Sequence, residues 1–313
     1  MAMTQGTIGA GRVGLKRLFG IEAEEVRKEY LDIVGGNTMN TTQTSEVFKQ
    51  YKGLGPMKET PEGNDADFDD MSPIWNMVVK PRLYTKGVKF SKQTQFTDQY
   101  NVLKDWTPRF VRSSMHRRNA NVADMDNSGF TNTTYGQNSE NLYSASHNMG
   151  GLYGYNRPLA SGQVAGPNAI TQDIAFGPLA LEQCSADLHK QQDARGQPWY
   201  PMSKIDIKVP PALYQQARRA IRPEKLAGGN FNDPNVNRDD FNDPIQIHYY
   251  TSDKAWFARA SSKKEHFMFF LLQMDYDIEQ LPLGKDIMIN WVAYESWYYG
   301  WMDWHGTWAT LGQ

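Results

Sequence analysis

Leu15, Leu18, Phe19, Val26, Tyr30, Ile33 and Val34 recur near a helical period, with Glu22, Glu24, Glu25, Arg27, Lys28 and Glu29 filling the other face. The pattern predicts an amphipathic helix that Gly35-Gly36 ends. A long polar stretch follows over 37–70, broken by Gly53, Gly55, Pro56, Pro61 and Gly63 and closing on Asp65, Asp67, Asp69 and Asp70. Few of its residues are expected in a core. Residues 75–84 and 87–96 read as two strands, with Thr85-Lys86-Gly87 as a turn or bulge between them. Thr97-Asp98 offers an N-cap for a long helix carrying Tyr100, Leu103, Phe110, Val111 and Met115 and ending near Asp124. Pro108 either kinks that helix or restarts it with Thr107 as a fresh cap.

The segment 126–169 is rich in Asn, Gly, Ser and Tyr and poor in aliphatics, so it reads as functional loop or as chain disordered until bound. Gly177-Pro178 opens a helix with Leu179, Leu181, Ala186 and Leu188. Ile205, Ile207 and Val209 alternate as a strand, and Pro210-Pro211 start a short helix to about Arg222. Strands are expected at 245–250, 256–260, 267–274 and 287–294, so the second half is β-rich. Phe-Asn-Asp-Pro occurs at 231–234 and again at 241–244, an echo best explained as two similar turns.

Bulk properties narrow the function classes. The chain has 313 residues, enough for a sizeable core in one or two units. A mean hydropathy of -0.65 puts much polar chain outside that core. The net charge of -2, from 33 basic and 35 acidic side chains, leaves no basic surplus for gripping nucleic acid along the chain's length. Weak mutual repulsion at near-neutral charge permits dense self-association. Cys184 is the sole cysteine, which excludes an intrachain disulfide and a cysteine-based zinc site. The beginning shows neither a basic n-region nor an apolar h-region, and no run approaches the ~18 apolar residues of a membrane span. A cytosolic origin is expected.

Candidate chemistry is thin. Gly9-Ala10-Gly11-Arg12-Val13-Gly14, with Asp32 beyond it, matches a dinucleotide-binding glycine pattern but lacks the buried strand that must precede it. A flexible arm is the better reading. Asp124 to Gly129 resembles the start of a calcium loop, yet its twelfth position is Tyr135 where a bidentate glutamate is required. Ser146-His147 and Cys184 with His189 are poorly placed as nucleophile and base, and the histidines at 116, 147, 189, 248, 266 and 305 show no ligand spacing. Trp291, Trp297, Trp301, Trp304 and Trp308 concentrate in the tail, where a core or an inter-subunit seam is favoured over a sugar-binding platform. Arg109, Arg112, His116, Arg117 and Arg118 give the long helix a basic side, which is either a solvated face or one turned to phosphate or an acidic neighbour.

The order of these elements resembles the major capsid proteins of tailed bacteriophages, the Hong Kong 97-like coat fold. The stretches that carry the resemblance are Gly87-Val-Lys-Phe-Ser-Lys-Gln-Thr-Gln-Phe-Thr-Asp-Gln-Tyr100 leading into the long helix, Asn141-Leu-Tyr-Ser-Ala-Ser-His-Asn148 after it, and the strand, Pro-Pro and helix of 205–220. It implies an α+β chain: an arm with an amphipathic helix over 1–50, an extended β loop over 51–86, a peripheral domain with the spine helix over 87–158, a mixed α/β axial domain over 159–262 and returning strands over 263–313. The implied function is an icosahedral head shell around double-stranded DNA, built by the chain itself as hexamers and pentamers. The implied partners are a scaffolding protein, a portal, a decoration or cement protein and DNA through weak non-specific contact, with no membrane. No cofactor, metal or catalysis is implied, and assembly would occur in the host bacterial cytoplasm. About fifty residues precede the loop, so either a separate scaffolding protein directs assembly or this is a processed form. No motif fixes a lysine–asparagine crosslink, and none is expected. Asp65, Asp67, Asp69, Asp70, Trp75, Arg109, Arg112, Arg117 and Arg118 are the expected subunit-interface residues. The alternatives are a carbohydrate-active or other hydrolytic enzyme using the aromatic tail, an encapsulin-like compartment, or another virion protein.

Overall fold

The structure is a computed structural model that describes residues 26–51, 53–66, 68–69, 73–91, 102–134, 136, 140–149, 152–225, 234–281 and 288–312. The glycine pattern at 9–14, most of the first amphipathic helix and the Thr97-Asp98 cap lie outside the described residues. What remains of that helix is α1 (Glu29–Ile33), followed by β1 (Thr38–Asn40), β2 (Glu46–Tyr51), β3 (Pro73–Val79) and β4 (Arg82–Ser91). The long helix α2 (Val102–Asn127) then runs through Pro108 without a break. After it come β5 (His147–Asn148), β6 (Tyr153–Gly154), α3 (Pro178–His189), β7 (Ile205–Val209), α4 (Pro211–Ile221) and α5 (Asn237–Asp240). The chain closes with β8 (Ile245–Gln246), β9 (Trp256–Ala260), β10 (Met268–Gln280), β11 (Met288–Trp301) and β12 (Thr307–Thr310).

Two four-stranded sheets organise the molecule. The first has the order β1-β10-β11-β4, all antiparallel except the short parallel edge strand β1. Successive side chains of a strand face opposite ways, and Met268 to Leu271 are buried on both sides of β10. Met268 and Phe270 face a core that contains Val111, Met115 and Val122 of α2, Tyr30 of α1 and Trp297 of β11. Phe269 and Leu271 face Trp75, Met77 and Val79 of the β2–β3 ribbon on the other side. The second sheet has the order β12-β9-β7-β8. Leu181, Cys184 and Leu188 of α3 and Ala217 and Ile221 of α4 cover one face, against Ile205, Ile207, Trp256 and Trp308. Phe257 and Ala309, pointing the other way, join the α2 core. β9 therefore belongs to both cores.

Several expectations are corrected. The break between the first two predicted strands falls at Lys80-Pro81, where proline withholds a ladder N–H and the chain passes from one sheet to another, while Thr85, Lys86 and Gly87 pair straight along β11. The polar stretch 37–70 contains β1 and β2, and Phe48 alternates inward against Phe269. The strand expected over 245–250 is only β8. Much of 126–169 is packed structure, because a polar network stands in for missing aliphatics. Asn156, fully buried, donates to the Leu142 carbonyl and the Thr307 hydroxyl at 2.8 Å each. Its side-chain oxygen receives the Ser144 amide at 3.0 Å and contacts His147 Nε2 at 2.8 Å, and the His147 ring stacks on Trp304 at 4.5 Å. The tryptophans of the tail that fill these cores are Trp297, Trp301, Trp304 and Trp308.

Gly35 ends α1 with φ of +58°, and a Cβ built there would sit 2.4 Å from Nε2 of buried His266. Both the left-handed backbone and the imidazole thus require glycine. Gly63 has φ of +92° but open space around it. Gly35→Ala should cost roughly 2–5 kcal/mol in urea unfolding, from backbone strain plus overpacking, and Gly63→Ala only about 1–2 kcal/mol. Equal losses for the two would contradict the packing at Gly35.

Candidate functional site

Charged groups buried between the sheets fix how the parts of the chain sit against one another. Arg259 on β9 and Asp126 at the end of α2 form an ion pair with both side chains fully buried. Such a pair is sustained by further hydrogen bonds around it, and here all but the Arg259 Nε find one. The Tyr143 and Tyr250 hydroxyls donate to the two Asp126 oxygens at 2.8 and 2.7 Å, and Arg259 also donates to Tyr143 at 3.0 Å. Burial pushes both phenols well above their ordinary pKa. Arg259 and Lys208 both donate to the Ile33 carbonyl at the end of α1, Lys208 at 2.8 Å. Burial, reinforced by Arg259, pushes the Lys208 ammonium down to about 7 against the pull of Asp126, Asp206 and Asp32.

A second junction holds the β2–β3 ribbon to the body. Trp75 donates its indole N–H to Gln50, and Gln50 donates to Asp303, which pairs with His305 Nδ1 at 2.7 Å. Burial alone would discharge both partners. Their mutual attraction wins, so His305 sits above the ordinary imidazole pKa and Asp303 below the ordinary carboxylate value. The ribbon's inner face is thereby fixed, while Val47, Tyr51 and Val78 remain exposed on its outer face.

The residues expected at an interface divide into three groups. Asp67 and Asp70 lie outside the described residues, and Asp65 is exposed. Asp69 accepts from the Gly55 amide at 2.7 Å and pairs with Arg195 at 2.7 Å, so it anchors its own loop to the turn at 193–197. Those bonds hold its carboxyl below the usual range. Trp75 and Arg118 face inward: Trp75 packs against Phe269 and Leu271, and Arg118 is buried on Glu295 at 2.5 Å with Asp275 at 3.0 Å. Arg109, Arg112 and Arg117 are exposed along α2. Helix periodicity groups Arg118 with these cations in sequence, and only the position of Glu295 on β11 separates it from them. Leu54, Met57 and Phe68, all exposed on the ribbon's loop, were not expected as a group. Their isolation among polar residues in sequence hides them.

Among the described residues, no group of His, Cys, Asp or Glu is arranged to hold a metal ion. Cys184 is buried with its thiol pKa raised by burial, and His189 turns to the Ser185 carbonyl at 2.7 Å. No helix among the described residues is long and apolar enough to cross a membrane.

No family model and no curated protein matches the sequence. Solved structures do match by shape. A chain in the capsid of the cyanophage P-SCSP1u superimposes with a TM-score of 0.56 at 12% identity, covering 87% of this chain and 85% of its own. The capsid of bacteriophage JBD30 gives 0.54 at 13% identity over 72% of this chain and 92% of that one. The chain has the phage capsid-shell fold. A virus-like particle from Pyrococcus furiosus shares this capsid-shell architecture, with a TM-score of 0.51 at 9% identity and coverage of 95% and 97%. In the frame of that fold, α2 is the long spine helix.

Lys208 gives a pH test of the buried junction. Its pKa is depressed in the folded chain, so the unfolded chain binds more protons between about pH 7 and the ordinary lysine value of about 10.4, and stability rises with pH across that window. Lys208→Met removes the buried charge and leaves the Ile33 carbonyl to Arg259. It should stabilise the chain by roughly 1–4 kcal/mol at pH 6, with the gain shrinking toward pH 10. A gain independent of pH in thermal melts would contradict the assignment.

Proposed function

We propose that the chain is a shell-forming capsid subunit of tailed-phage type, assembling with copies of itself into closed icosahedral particles. The observation that carries this reading is the uncovered outer face of the β2–β3 ribbon, with exposed Val47, Tyr51 and Val78, together with exposed Leu54, Met57 and Phe68 on its loop. A two-stranded ribbon covered on one face only gains stability when a neighbour covers the other. Exposed apolar groups on such a projection are the usual mark of a protein interface.

In this reading Asp65, Asp67 and Asp70 of the acidic run and the basic row of Arg109, Arg112 and Arg117 belong to contacts between neighbouring copies, as hexamers and pentamers, while Asp69 is held within its own chain by Gly55 and Arg195. The shell has a separate scaffolding protein, a portal and a decoration or cement protein as partners. It holds double-stranded DNA through local, weak contacts, consistent with the net charge of -2. The subunit works by shape and contact rather than catalysis, in a virion assembled in the host cytoplasm. An encapsulin-like compartment is the second reading, supported by the match to the Pyrococcus furiosus particle. The two differ in content, since a phage head holds duplex DNA.

Negative-stain microscopy of the expressed chain, alone and with a co-expressed scaffold, should show closed particles of uniform diameter and megadalton mass. A species that stays at 35.7 kDa under both conditions would overturn the proposal.

A further inference from the structure

The first sheet has two long open edges. β1 pairs with β10 only at Phe270, Leu271 and Leu272. Among the described residues, no strand lies along the outer side of β10 beyond that point, and none lies along the outer side of β4. Open edges of this length are templates for another chain, and charged side chains are a usual guard. Both edges carry them: Asp275, Asp277 and Glu279 on β10, and Arg82, Lys86 and Lys89 on β4. The signs are sorted, one to each edge.

Strand register sets these charges level with one another. Thr85, Tyr294 and Asp277 stand in one row across the sheet, Lys86, Ala293 and Ile278 in the next, and Gly87, Val292 and Glu279 in the one after. Arg82 pairs with Trp297 and Lys89 with Asn290, so the basic edge spans the rows that hold Asp277 and Glu279. Arg82, Lys86, Lys89, Asp275 and Glu279 are all exposed. Asp275 pairs with Arg118 at 3.0 Å, and the Tyr294 hydroxyl contacts Asp277 and Glu279 at 3.4 Å each. A phenol orients a carboxylate without neutralising it.

We infer that the β10 edge of one copy meets the β4 edge of the next, with Asp277 and Glu279 turned to Lys86 and Lys89. The inference rests on the self-assembly reading above and names one pair of surfaces for it. Like edges exclude each other, because two β4 edges oppose cations and two β10 edges oppose carboxylates. Unlike edges attract. Both strands run antiparallel to β11, so β10 and β4 of adjoining copies run parallel when the sheet continues in one sense. Because the rows are level, this head-to-tail contact needs no shift along the strands, and repeated by rotation alone it closes a ring instead of growing a filament. A phosphate backbone matches only the β4 edge, whereas a second copy matches both.

The test is a charge exchange in the full chain, read by sedimentation velocity and negative-stain microscopy. One variant carries Asp277→Lys and Glu279→Lys, the other Lys86→Glu and Lys89→Glu; Asp275 is kept because it holds Arg118. Circular dichroism and thermal melting check that each variant folds. Each alone should need a roughly tenfold or higher concentration to assemble. An equimolar mixture should assemble like the natural chain, since one variant then has two basic edges and the other two acidic ones, and the fourfold variant should assemble on its own. Unchanged assembly of either double variant would overturn the edge contact and leave the shell reading standing. Failure of both the mixture and the fourfold variant, with folding intact, would overturn it too. Loss on reversing the basic edge alone, with no response to the acidic edge, would give Lys86 and Lys89 to another partner such as phosphate. A natural chain that stays monomeric throughout would overturn the self-assembly reading itself, and the edge contact with it.

Discussion

The buried pairing of Arg259 with Asp126 is the constraint on which the arrangement of the subunit depends. Neither charge could enter the interior alone, and each is sustained because separate parts of the chain converge on it. Asp126 brings the end of the spine helix, Arg259 the strand shared by both cores, Tyr143 the segment after the helix, and Ile33 the end of α1. Apolar burial drives the collapse, but it is non-directional and would tolerate other relative settings of the two sheets. The ion pair and its two tyrosines tolerate few. Lys208, carrying a third charge into the same space, marks a cost that the junction sustains.

That rigidity gives meaning to what projects from it. The ribbon is fixed along its inner face by Trp75, Met77 and Val79 and by the chain of Gln50, Asp303 and His305. Beyond Tyr51 the loop returns to the body chiefly through Asp69, Gly55 and Arg195, contacts at the surface where charge pairs contribute little. A well-determined body thus presents a weakly held loop with exposed Met57 and Phe68. The proposed shell-forming role would use this division, with the body setting the geometry and the loop gaining its stability from neighbours.

Periodicity made the helices and most strands legible in sequence. The apolar spacing from Val111 to Met115 marks α2, Gly177-Pro178 and Pro210-Pro211 mark the starts of α3 and α4, and the aromatic pair Trp256-Phe257 marks β9. The concentration of tryptophan in the tail correctly pointed to packing, since Trp297, Trp301, Trp304 and Trp308 are buried. What escaped was decided at long range. Arg118 is indistinguishable in pattern from Arg117, and only Glu295, far along the chain, draws it inward. The polar stretch around Asn156 looked like loop because its burial is sustained by hydrogen bonds, which leave no apolar period. Asp69 looked free to reach a neighbour because the turn bearing Arg195 is more than a hundred residues away.

The proposal turns on one division: a well-packed body carries a loop whose stability would come from other copies. Amide hydrogen exchange followed by mass spectrometry on the free subunit and on assembled particles tests it directly. The account expects slow exchange at β9 and the second half of α2 in both states, and fast exchange over residues 53–69 in the free subunit that slows markedly on assembly. Equal protection of that loop in the two states, or a β9 that exchanges as fast as the loop, would contradict it.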